Sequence, residues 1–454
     1  MELDSNEIQI LGTTAEMIDR AEDRSKFSAL LDEIGVDQPE WSSFITLDES
    51  LSFCEKVNYP VLVRPSYVLS GAGMKVVYNQ KEMLNYLKDS EVSSDYPVVI
   101  TKFIEYAKEI EVDGVAHWGS ILAMGISEHI ENAGVHSGDA TLILPAQKLY
   151  LETVKRIKKV TRLITQHLSI SGPFNIQFLS RDNHIKVIEC NLRASRSFPF
   201  VSKTFNTNFI ELATRIMLGL HYDIPHIRVY EMEYVCVKSP MFSFPRLPLV
   251  DPILGVEMAS TGEVAAFGED LREAYLQSMI SAGFKIPPSE GCILLSVGME
   301  KNCFELLDSI RLLIEMNYRL LATPRTCQFF QHHGLKCQCV EHPMPCSWSG
   351  GVSRSNSENT NRSTTPNTTD LIRQGHIHMV LNIPTKGEGE HGDITDTCVS
   401  QPTSQTNGYR LRRIAIDSGV PLLTNVKTII LMISSLHYYH QHKFQFRSWS
   451  SFQE

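Results

Sequence analysis

The sequence predicts an α/β protein of two domains, in which a larger α+β domain with a mixed or antiparallel sheet precedes a smaller domain with a parallel sheet. Three observations support this prediction. The chain has 454 residues, whereas single domains commonly comprise about 100 to 200. Helical patterns in the first half alternate with strands that are mostly joined as hairpins, which is typical of an antiparallel sheet. From residue 291 onwards strands and helices alternate again, which is typical of parallel βαβ units.

The first half contains two helical patterns and two hairpins. Apolar residues recur at helical intervals over residues 16–33, after Thr13 and Thr14, which can cap a helix. Periodicity and turn residues predict the other elements as well. These are strands at 60–63 and 97–100, a hairpin at 109–126, an amphipathic helix at 151–164, and a second hairpin formed by 174–179 and 185–191.

A stretch rich in Pro and Gly separates the two halves. We predict that residues 231–285 connect a first domain, residues 1–230, to a second domain, residues 286–440, which is followed by a tail at 441–454. The second domain is predicted to contain strands at 292–297, 319–322 and 379–383, with helices at 304–316 and near Cys327. Polar runs at 347–369 and 387–408 are predicted to be loose loops.

Composition and charge exclude several classes of protein. A net charge of -10 argues against a nucleic-acid binder, which needs a basic face to neutralise phosphates. No apolar run reaches the roughly 18 to 20 residues that span a bilayer, so no membrane partner is expected. Ten cysteines without regular spacing indicate free thiols in a reducing compartment. We therefore expect a cytoplasmic protein.

Polar side chains on the second hairpin form a candidate metal site. Successive strand residues face opposite sides of a sheet, so Glu189 and Asn191 share one face. Gln177 lies on the partner strand, where we expect it opposite Val187 and diagonal to Glu189. Carboxylate and amide oxygens suit Mg²⁺, which joins protein and nucleotide phosphates in phosphoryl-transfer sites. A polar face exposed to solvent is the alternative, and the hairpin alone does not decide between them.

Residues around this hairpin favour an anionic ligand. Arg193 and Arg196 lie three residues apart and suit a planar carboxylate or a phosphate. Arg64 ends a strand and is followed by small residues whose backbone could close over phosphates. His136 lies in the turn-rich segment 134–139, and we assign it to ligand contact rather than to proton transfer. These residues together indicate ATP- and Mg²⁺-dependent phosphoryl transfer to a small acid.

Four stretches, residues 19–24, 64–71, 131–139 and 188–204, resemble the ATP-grasp fold. More specifically, they resemble the second synthetase half of the carbamoyl-phosphate synthetase large chain, and the similarity runs from about residue 12 to 426. Within that family, the multifunctional pyrimidine-synthesis proteins of animals look most similar. The resemblance implies transfer of the γ-phosphoryl group of ATP to carbamate, giving carbamoyl phosphate.

The resemblance also implies roles for particular residues. The nucleotide contacts would be Arg24, Arg64, Gly134, Val135, His136 and Ser137, with Lys102, Ile104 and Glu109 around adenine and ribose. Mg²⁺ or Mn²⁺ would be held by Gln177, Glu189 and Asn191. Arg193 and Arg196 would bind carbamate and stabilise the acyl phosphate as it forms, and Asn191 would be a third catalytic residue.

The second domain resembles the methylglyoxal-synthase-like regulatory domain of these enzymes. The resemblance implies an allosteric nucleotide or phosphorylated sugar, bound at Lys301, Thr323, Thr326 and Asn382. It also implies a first synthetase half and a glutaminase as partners in the full system.

Three alternatives remain open at this point. The chain could be another ATP-grasp ligase, such as a biotin carboxylase or an amino-acid ligase, or a non-catalytic module that binds an effector. Separately, Cys337, Cys339 and Cys346 with His342 could suggest zinc. Their spacing fits no standard finger, however, so free thiols are favoured.

Overall fold

Two compact units make up the protein. The computed structural model describes residues 10–44, 46–65, 73–89, 98–227, 229–343, 367–385, 406–444 and 446–452. The first unit comprises Met1–Phe242, Leu254–Ala282 and Gln445–Glu454, and the second comprises Ser243–Ile253 and Gly283–Phe444. Residues 231–285, predicted as a connector, therefore supply parts of both units.

The first unit begins with two helices, α1 (Ala15–Glu22) and α2 (Arg24–Glu33). The Thr14 hydroxyl accepts from the Met17 amide at 3.4 Å, which confirms the predicted cap of α1. The single helical pattern predicted here is split at Asp23. The side chain of Asp23 accepts from the Lys26 amide at 2.9 Å and starts a new helix, so the prediction of one continuous helix was wrong.

A four-stranded antiparallel sheet follows, in the order β1-β4-β2-β3. Its elements are β1 (Trp41–Phe44), α3 (Leu47–Val57), β2 (Val61–Pro65), β3 (Lys75–Val77), α4 (Gln80–Asp89) and β4 (Val98–Lys102). Apolar residues of β2 and β4, including Val63 and Ile100, pack against Cys54 of α3 and Met83 of α4. The small-residue segment predicted to close over phosphates, residues 66–72, lies outside the described residues.

A seven-stranded antiparallel sheet dominates the first unit, in the order β11-β10-β7-β6-β5-β8-β9. Its strands are β5 (Lys108–His117), β6 (Ser120–Asn132), β7 (Leu142–Leu144), β8 (Gly172–Arg181), β9 (His184–Asn191), β10 (Val235–Phe242) and β11 (Ser260–Gly268). Its helices are α5 (Leu151–His167), α6 (Phe198–Thr204), α7 (Phe209–Met217) and α8 (Leu271–Ser281). Ile110 of β5 and Ile176 of β8 face the core formed with α2 and α5. Because strand residues alternate, the odd-numbered residues beside them face the other side of the sheet.

The hairpin of β8 and β9 corrects one predicted register. Asp182 and Asn183 both have positive φ, 51° and 62°, as a two-residue hairpin turn requires. Gln177 lies directly opposite Glu189, whereas we predicted it opposite Val187. An irregularity after Gln177 places Phe178 opposite Val187 and leaves Ile188 as the extra residue of a bulge.

The second unit is built on a five-stranded parallel sheet, in the order β14-β13-β12-β15-β16. Its strands are β12 (Cys292–Val297), β13 (Arg319–Ala322), β14 (Gln338–Cys339), β15 (Met379–Ile383) and β16 (Leu422–Leu423). Its helices are α9 (Glu300–Glu315), α10 (Pro324–His332), α11 (Thr368–Arg373), α12 (Asn407–Asp417) and α13 (Val426–His442). The predicted parallel sheet and the bounds of β12, β13 and β15 are confirmed. Of the loops predicted at 347–369 and 387–408, residues 347–366 and 387–405 lie outside the described residues. The ends of both predictions were wrong, because residues 368–369 begin α11 and residues 407–408 begin α12.

A transmembrane helix is not found in the described ranges, where no helix combines the length and the apolar character that spanning a bilayer requires.

Candidate active site

Two rows of polar side chains lie on the face of the seven-stranded sheet opposite the core of α2 and α5. Gln177 of β8 pairs with Glu111 of β5 on one side and with Glu189 of β9 on the other. Asn175 pairs in the same way with Asp113 and Asn191, which form the second row. The three predicted metal ligands, Gln177, Glu189 and Asn191, therefore share one face of adjacent strands.

Glu189 lies at the β9 end of the first row. Its Oε2 accepts from Arg24 Nη2 at 2.6 Å, and its Oε1 accepts from Asn191 Nδ2 at 3.0 Å. Burial by itself would raise the pKa of Glu189, but the Arg24 charge and the Asn191 hydrogen bond lower it to about 2. Glu189 is therefore an anion at neutral pH.

Arg64 brings a second positive charge from the end of β2. Its side chain is buried, and Nη2 donates to Thr101 Oγ1 at 2.6 Å. Burial and the nearby Arg24 charge lower the pKa of Arg64 to about 9, against the opposing effect of Glu189. Its buried Nε has no hydrogen-bond partner among the described residues. A buried donor without a partner is costly, so it favours an acceptor such as a phosphate oxygen.

A buried network behind Glu189 was missed by the sequence reasoning. His129 Nε2 lies 2.8 Å from Glu111 Oε1, while Asn175 Nδ2 donates to Glu111 at 3.2 Å and to Asp113 at 2.8 Å. Burial lowers the pKa of His129, but the Glu109 and Glu111 carboxylates outweigh it, so the pKa is raised overall. The sequence feature that could have predicted this network is the alternation of acidic residues along β5. It predicted a strand, but the acidic residues were not assigned to a site.

Hydroxyl groups complete this network around Asp113. Ser195 Oγ donates to Asp113 Oδ1 at 2.6 Å, and Ser197 Oγ donates to Oδ2 at 2.8 Å. Burial and the Glu111 charge raise the pKa of Asp113 to about 6, although these hydrogen bonds oppose the rise. The segment that carries Arg193 and Arg196 is therefore tied to β5 at two points.

The segment 134–139 forms a turn that is held by buried groups. His136 Nδ1 accepts from the Gly138 amide at 3.0 Å, and burial lowers the pKa of His136 despite the nearby Glu189 and Asp139. The imidazole is therefore neutral, with its proton on Nε2. Lys238 Nζ, inside the sheet, donates to the carbonyl oxygens of Ser137 at 3.2 Å and Gly138 at 3.3 Å. The sequence feature that could have predicted this role of Lys238 is its position as a single lysine in an otherwise apolar strand.

Glycine is required at the start of this turn. Gly134 has φ 108°, and a Cβ atom there would lie 2.9 Å from Cζ of Phe103. Val135, beside it, is buried. The backbone of this turn is therefore fixed by packing as well as by hydrogen bonds.

Other predicted site residues lie around this cluster or apart from it. Arg196 forms an ion pair with Glu263 at 3.1 Å and donates to Ser260 at 3.0 Å. Arg193 is exposed and donates to the Ala194 carbonyl at 3.4 Å rather than to Glu189. Lys102 donates to the Asn58 carbonyl at 2.7 Å, and Ile104 is half-buried.

The predicted effector residues of the second unit lie at the carboxyl ends of its strands. Thr326 Oγ1 accepts from the Val297 amide at 2.9 Å, and Thr323 donates to Thr326 at 3.3 Å. Asn382 accepts from Arg412 Nη1 at 2.7 Å, while Lys301 is exposed in the first turn of α9. Arg412 was not predicted. It is fully buried and also forms a bidentate pair with Asp251, at 2.7 Å and 2.6 Å.

The donor set around Glu189 fits a hard divalent cation. An ionised carboxylate and the amide groups of Gln177 and Asn191 offer the oxygen ligands that Mg²⁺ prefers. No group of three or more His, Cys, Asp or Glu side chains suited to a metal is present in the described ranges. Cys346 of the zinc alternative lies outside the described residues.

Glu109 should make the stability of the first unit depend on pH. It is buried on the same face, and burial raises its pKa from 4.5 to about 7, with Glu111 and Glu189 adding to the rise. A raised folded-state pKa means that the folded chain holds this proton more tightly than the unfolded chain does. The stabilisation that protonated Glu109 gives to the folded state is therefore fully present below pH 4.5 and is lost as pH rises through about 7.

We expect Glu109→Gln to stabilise the first unit at pH 8.5 relative to wild type, and to have little effect at pH 4.5. The change in the free energy of unfolding caused by Glu109→Gln should differ by about 2–3 kcal/mol between the two pH values, since one pKa unit corresponds to about 1.4 kcal/mol. Urea unfolding at both pH values measures it. If Glu109→Gln changed the free energy of unfolding by the same amount at both pH values, the pKa of Glu109 would not be raised.

Comparison with known proteins agrees with this geometry. The family model described as "Carbamoyl-phosphate synthase L chain, ATP binding domain" matches residues 23–224, and the one described as "MGS-like domain" matches residues 305–424. The first match contains Arg24, Arg64 and the polar rows of β8 and β9. The predicted ATP-grasp and methylglyoxal-synthase-like assignments are therefore confirmed.

Curated relatives are similar over nearly the whole chain. "Multifunctional protein URA2" of Saccharomyces cerevisiae is 49% identical over 96% of this chain and 19% of its own length. "Multifunctional protein CAD" of the shark Squalus acanthias is 45% identical, again over 96% of this chain and 19% of its own length. The chain thus spans about a fifth of these relatives, and the yeast protein matches at least as well as the animal protein does.

A solved structure shares the fold. Carboxyaminoimidazole ribonucleotide synthase from Aspergillus clavatus has a TM-score of 0.50 and 16% identity, over 62% of this chain and 77% of its own. At this identity the likeness concerns the fold alone. The two family matches and the relatives agree with each other along the chain. The chain therefore carries the ATP-binding domain of the carbamoyl-phosphate synthase large chain over residues 23–224, followed by an MGS-like domain over residues 305–424.

Proposed function

We propose that this chain transfers the γ-phosphoryl group of ATP to carbamate and so forms carbamoyl phosphate, the last step of carbamoyl-phosphate synthesis in the pyrimidine pathway. The observation that carries the proposal is the ionised Glu189, held by Arg24 at 2.6 Å beside the buried Arg64. The match of residues 23–224 to the carbamoyl-phosphate synthase ATP-binding domain supports carbamate rather than another acid as the acceptor.

Each positive group has a distinct task in this proposal. Arg24 and Arg64 bind phosphate oxygens of the nucleotide, and the free Nε of Arg64 gains an acceptor when they do so. The neutral His136 donates from Nε2 to a phosphate oxygen, while Lys238 keeps the turn around it in place. Such donors stabilise the charge that develops on the transferred group.

Gln177, Glu189 and Asn191 hold Mg²⁺ or Mn²⁺ in this proposal. A bound ion of this kind neutralises charge on the terminal phosphates. Lys102, Ile104 and Glu109 surround adenine and ribose, and the backbone of residues 134–137 contacts the phosphates.

Arg193 and Arg196 bind and orient carbamate. A carbamate oxygen forms the new bond to the γ-phosphorus, the bond to the ADP oxygen breaks, and ADP leaves with the electron pair. Arg196 is already fixed by Glu263 and Ser260, whereas the exposed Arg193 is free to turn towards the acid when it binds. Asn191 Nδ2 donates to Glu189 Oε1 at 3.0 Å and so orients the carboxylate.

The second unit, in our proposal, binds a regulatory nucleotide or phosphorylated sugar through Lys301, Thr323, Thr326 and Asn382. The support is chemical, since hydroxyl and amide groups meet at the carboxyl ends of parallel strands, where ligands of open α/β sheets bind. We also propose a first synthetase half and a glutaminase as partners, and the cytoplasm as the compartment. The eight described cysteines are all free thiols, which suits a reducing compartment.

ATP formation from ADP and carbamoyl phosphate is the reaction that tests the proposed function, because it requires only this synthetase half. We expect Mg²⁺-dependent ATP formation that stops when EDTA removes the metal. The matched measurement is ADP release from ATP with carbamate, bicarbonate or an amino acid. Stimulation by an amino acid or bicarbonate without the reverse reaction would assign the chain to another ligase class. Nucleotide binding without either reaction would instead support a non-catalytic role.

A further inference from the structure

Two thiols of the second unit lie in contact, on different elements and outside the proposed synthetase site. Cys327 is in α10, and Cys337 is in the segment that leads from α10 to β14. Their Sγ atoms are 3.5 Å apart. We propose that Cys327 and Cys337 form a reversible disulfide when the chain meets a small-molecule disulfide such as oxidised glutathione.

The backbone around the two thiols holds them face to face. Cys327 Sγ lies 3.8 Å from the Cys337 carbonyl oxygen, and Cys337 Sγ lies 3.7 Å from the Cys327 carbonyl oxygen. Gln331, one turn after Cys327 on α10, donates to the same Cys337 carbonyl at 2.9 Å. This third contact fixes the segment against the helix. The sulfur atoms need to approach only from 3.5 Å to a bond length of about 2.05 Å.

The two thiols differ in access, which sets the order of the reaction. Cys327 is 1% exposed. Cys337 is half-buried and lines a cleft of about 900 Å³ together with Lys336 and Gln338. Clefts of roughly 300 to 1,000 Å³ accept molecules of glutathione's size class. The oxidant therefore reaches Cys337 first.

The reaction proceeds by two thiol–disulfide exchanges. The Cys337 sulfur attacks one sulfur of oxidised glutathione, which forms a mixed disulfide and releases one glutathione thiol. The Cys327 sulfur then attacks the Cys337 sulfur and releases the second glutathione thiol. Two protein thiols are oxidised, one glutathione disulfide is reduced, and the two protons pass to the released thiols. Burial raises the pKa of both cysteine thiols, so incubation over hours is appropriate.

The bond would tie the middle of α10 to the segment before β14. Thr326, one residue before Cys327, donates its hydroxyl to the Val297 carbonyl at 3.3 Å, so the cross-link lies next to the carboxyl ends of the central strands. A cross-link also restricts the unfolded chain. We expect the thermal midpoint of the second unit to rise by about 5 °C on oxidation.

The test uses the whole chain in buffers of oxidised and reduced glutathione. Free thiols are alkylated, the chain is digested, and disulfide-linked peptides are identified by mass spectrometry. We expect a Cys327–Cys337 peptide that disappears when reduced glutathione is added back. Its formation should coincide with the rise in thermal midpoint.

Serine variants supply the controls. Cys337→Ser and Cys327→Ser should lose both the linked peptide and the rise in midpoint, while circular dichroism checks that they fold. Cys339→Ser, which changes a neighbouring thiol, and Cys303→Ser, which changes a buried thiol of α9, should retain both. A linkage through Cys339, or glutathione that stays on Cys337 without ring closure, would overturn the proposal.

Discussion

Replacing Glu189 by Gln is expected to lower the rate of ATP formation from ADP and carbamoyl phosphate by at least about 100-fold. The amide keeps the shape of the side chain but removes its charge. Arg24 then loses a partner at 2.6 Å, and the buried Arg64 loses the charge that opposes its desolvation. The proposed metal also loses its carboxylate ligand. Initial rates at saturating substrates, with Mg²⁺ varied, measure the effect.

The matched control is Glu33→Gln. Glu33 also pairs with an arginine, Arg20, at 3.2 Å, but its side chain is 68% exposed. An exposed pair of this kind contributes at most about 1 kcal/mol, so this variant should keep wild-type activity. If Glu189→Gln retained activity at wild-type Mg²⁺ dependence, Glu189 would not be part of the metal site. If it lost activity only because it unfolded, circular dichroism would reveal that.

Replacing Arg412 by Met is expected to destabilise the second unit by about 3–5 kcal/mol. Arg412 is fully buried and satisfies both Asp251 oxygens and the Asn382 side-chain oxygen. Methionine fills similar space but removes two donors from the Asp251 carboxylate, which keeps the Ile253 amide at 3.3 Å, and one donor from the Asn382 oxygen. Hydrogen exchange of peptides from β15 and α12 measures the local free energy of opening, which matters because a chain of two units need not unfold in one step.

Two further variants separate the possible causes. Arg311→Met removes an exposed pair with Asp308 and should change the exchange rates little. The double variant Arg412→Met with Asp251→Leu removes both charges and should recover a substantial part of the loss, because it no longer leaves the Asp251 carboxylate, which is 27% exposed, without its charged partner. A double variant as unstable as the single one would point to lost packing instead.

Periodicity in the sequence was sufficient for much of the fold. The bounds of β12, β13 and β15 were predicted correctly, because short apolar runs in a parallel sheet are buried on both faces and have clear ends. The shared face of Glu189 and Asn191 followed from strand alternation alone. The position of Gln177 did not, because the turn at Asp182 and Asn183 and the bulge at Ile188 each move its partner by one residue, from Val187 to Glu189.

Contacts between residues far apart in the sequence required the three-dimensional structure. His129 joins Glu111, Lys238 supports the turn at 137–138, and Arg412 joins Asp251 from a stretch more than 150 residues earlier. The same side chains would be unremarkable on a solvated surface. Alternation within a strand assigns each side chain to a face, since that depends only on neighbouring residues. Which charges meet there, and how burial then shifts their pKa values, depends on which strands the fold places side by side.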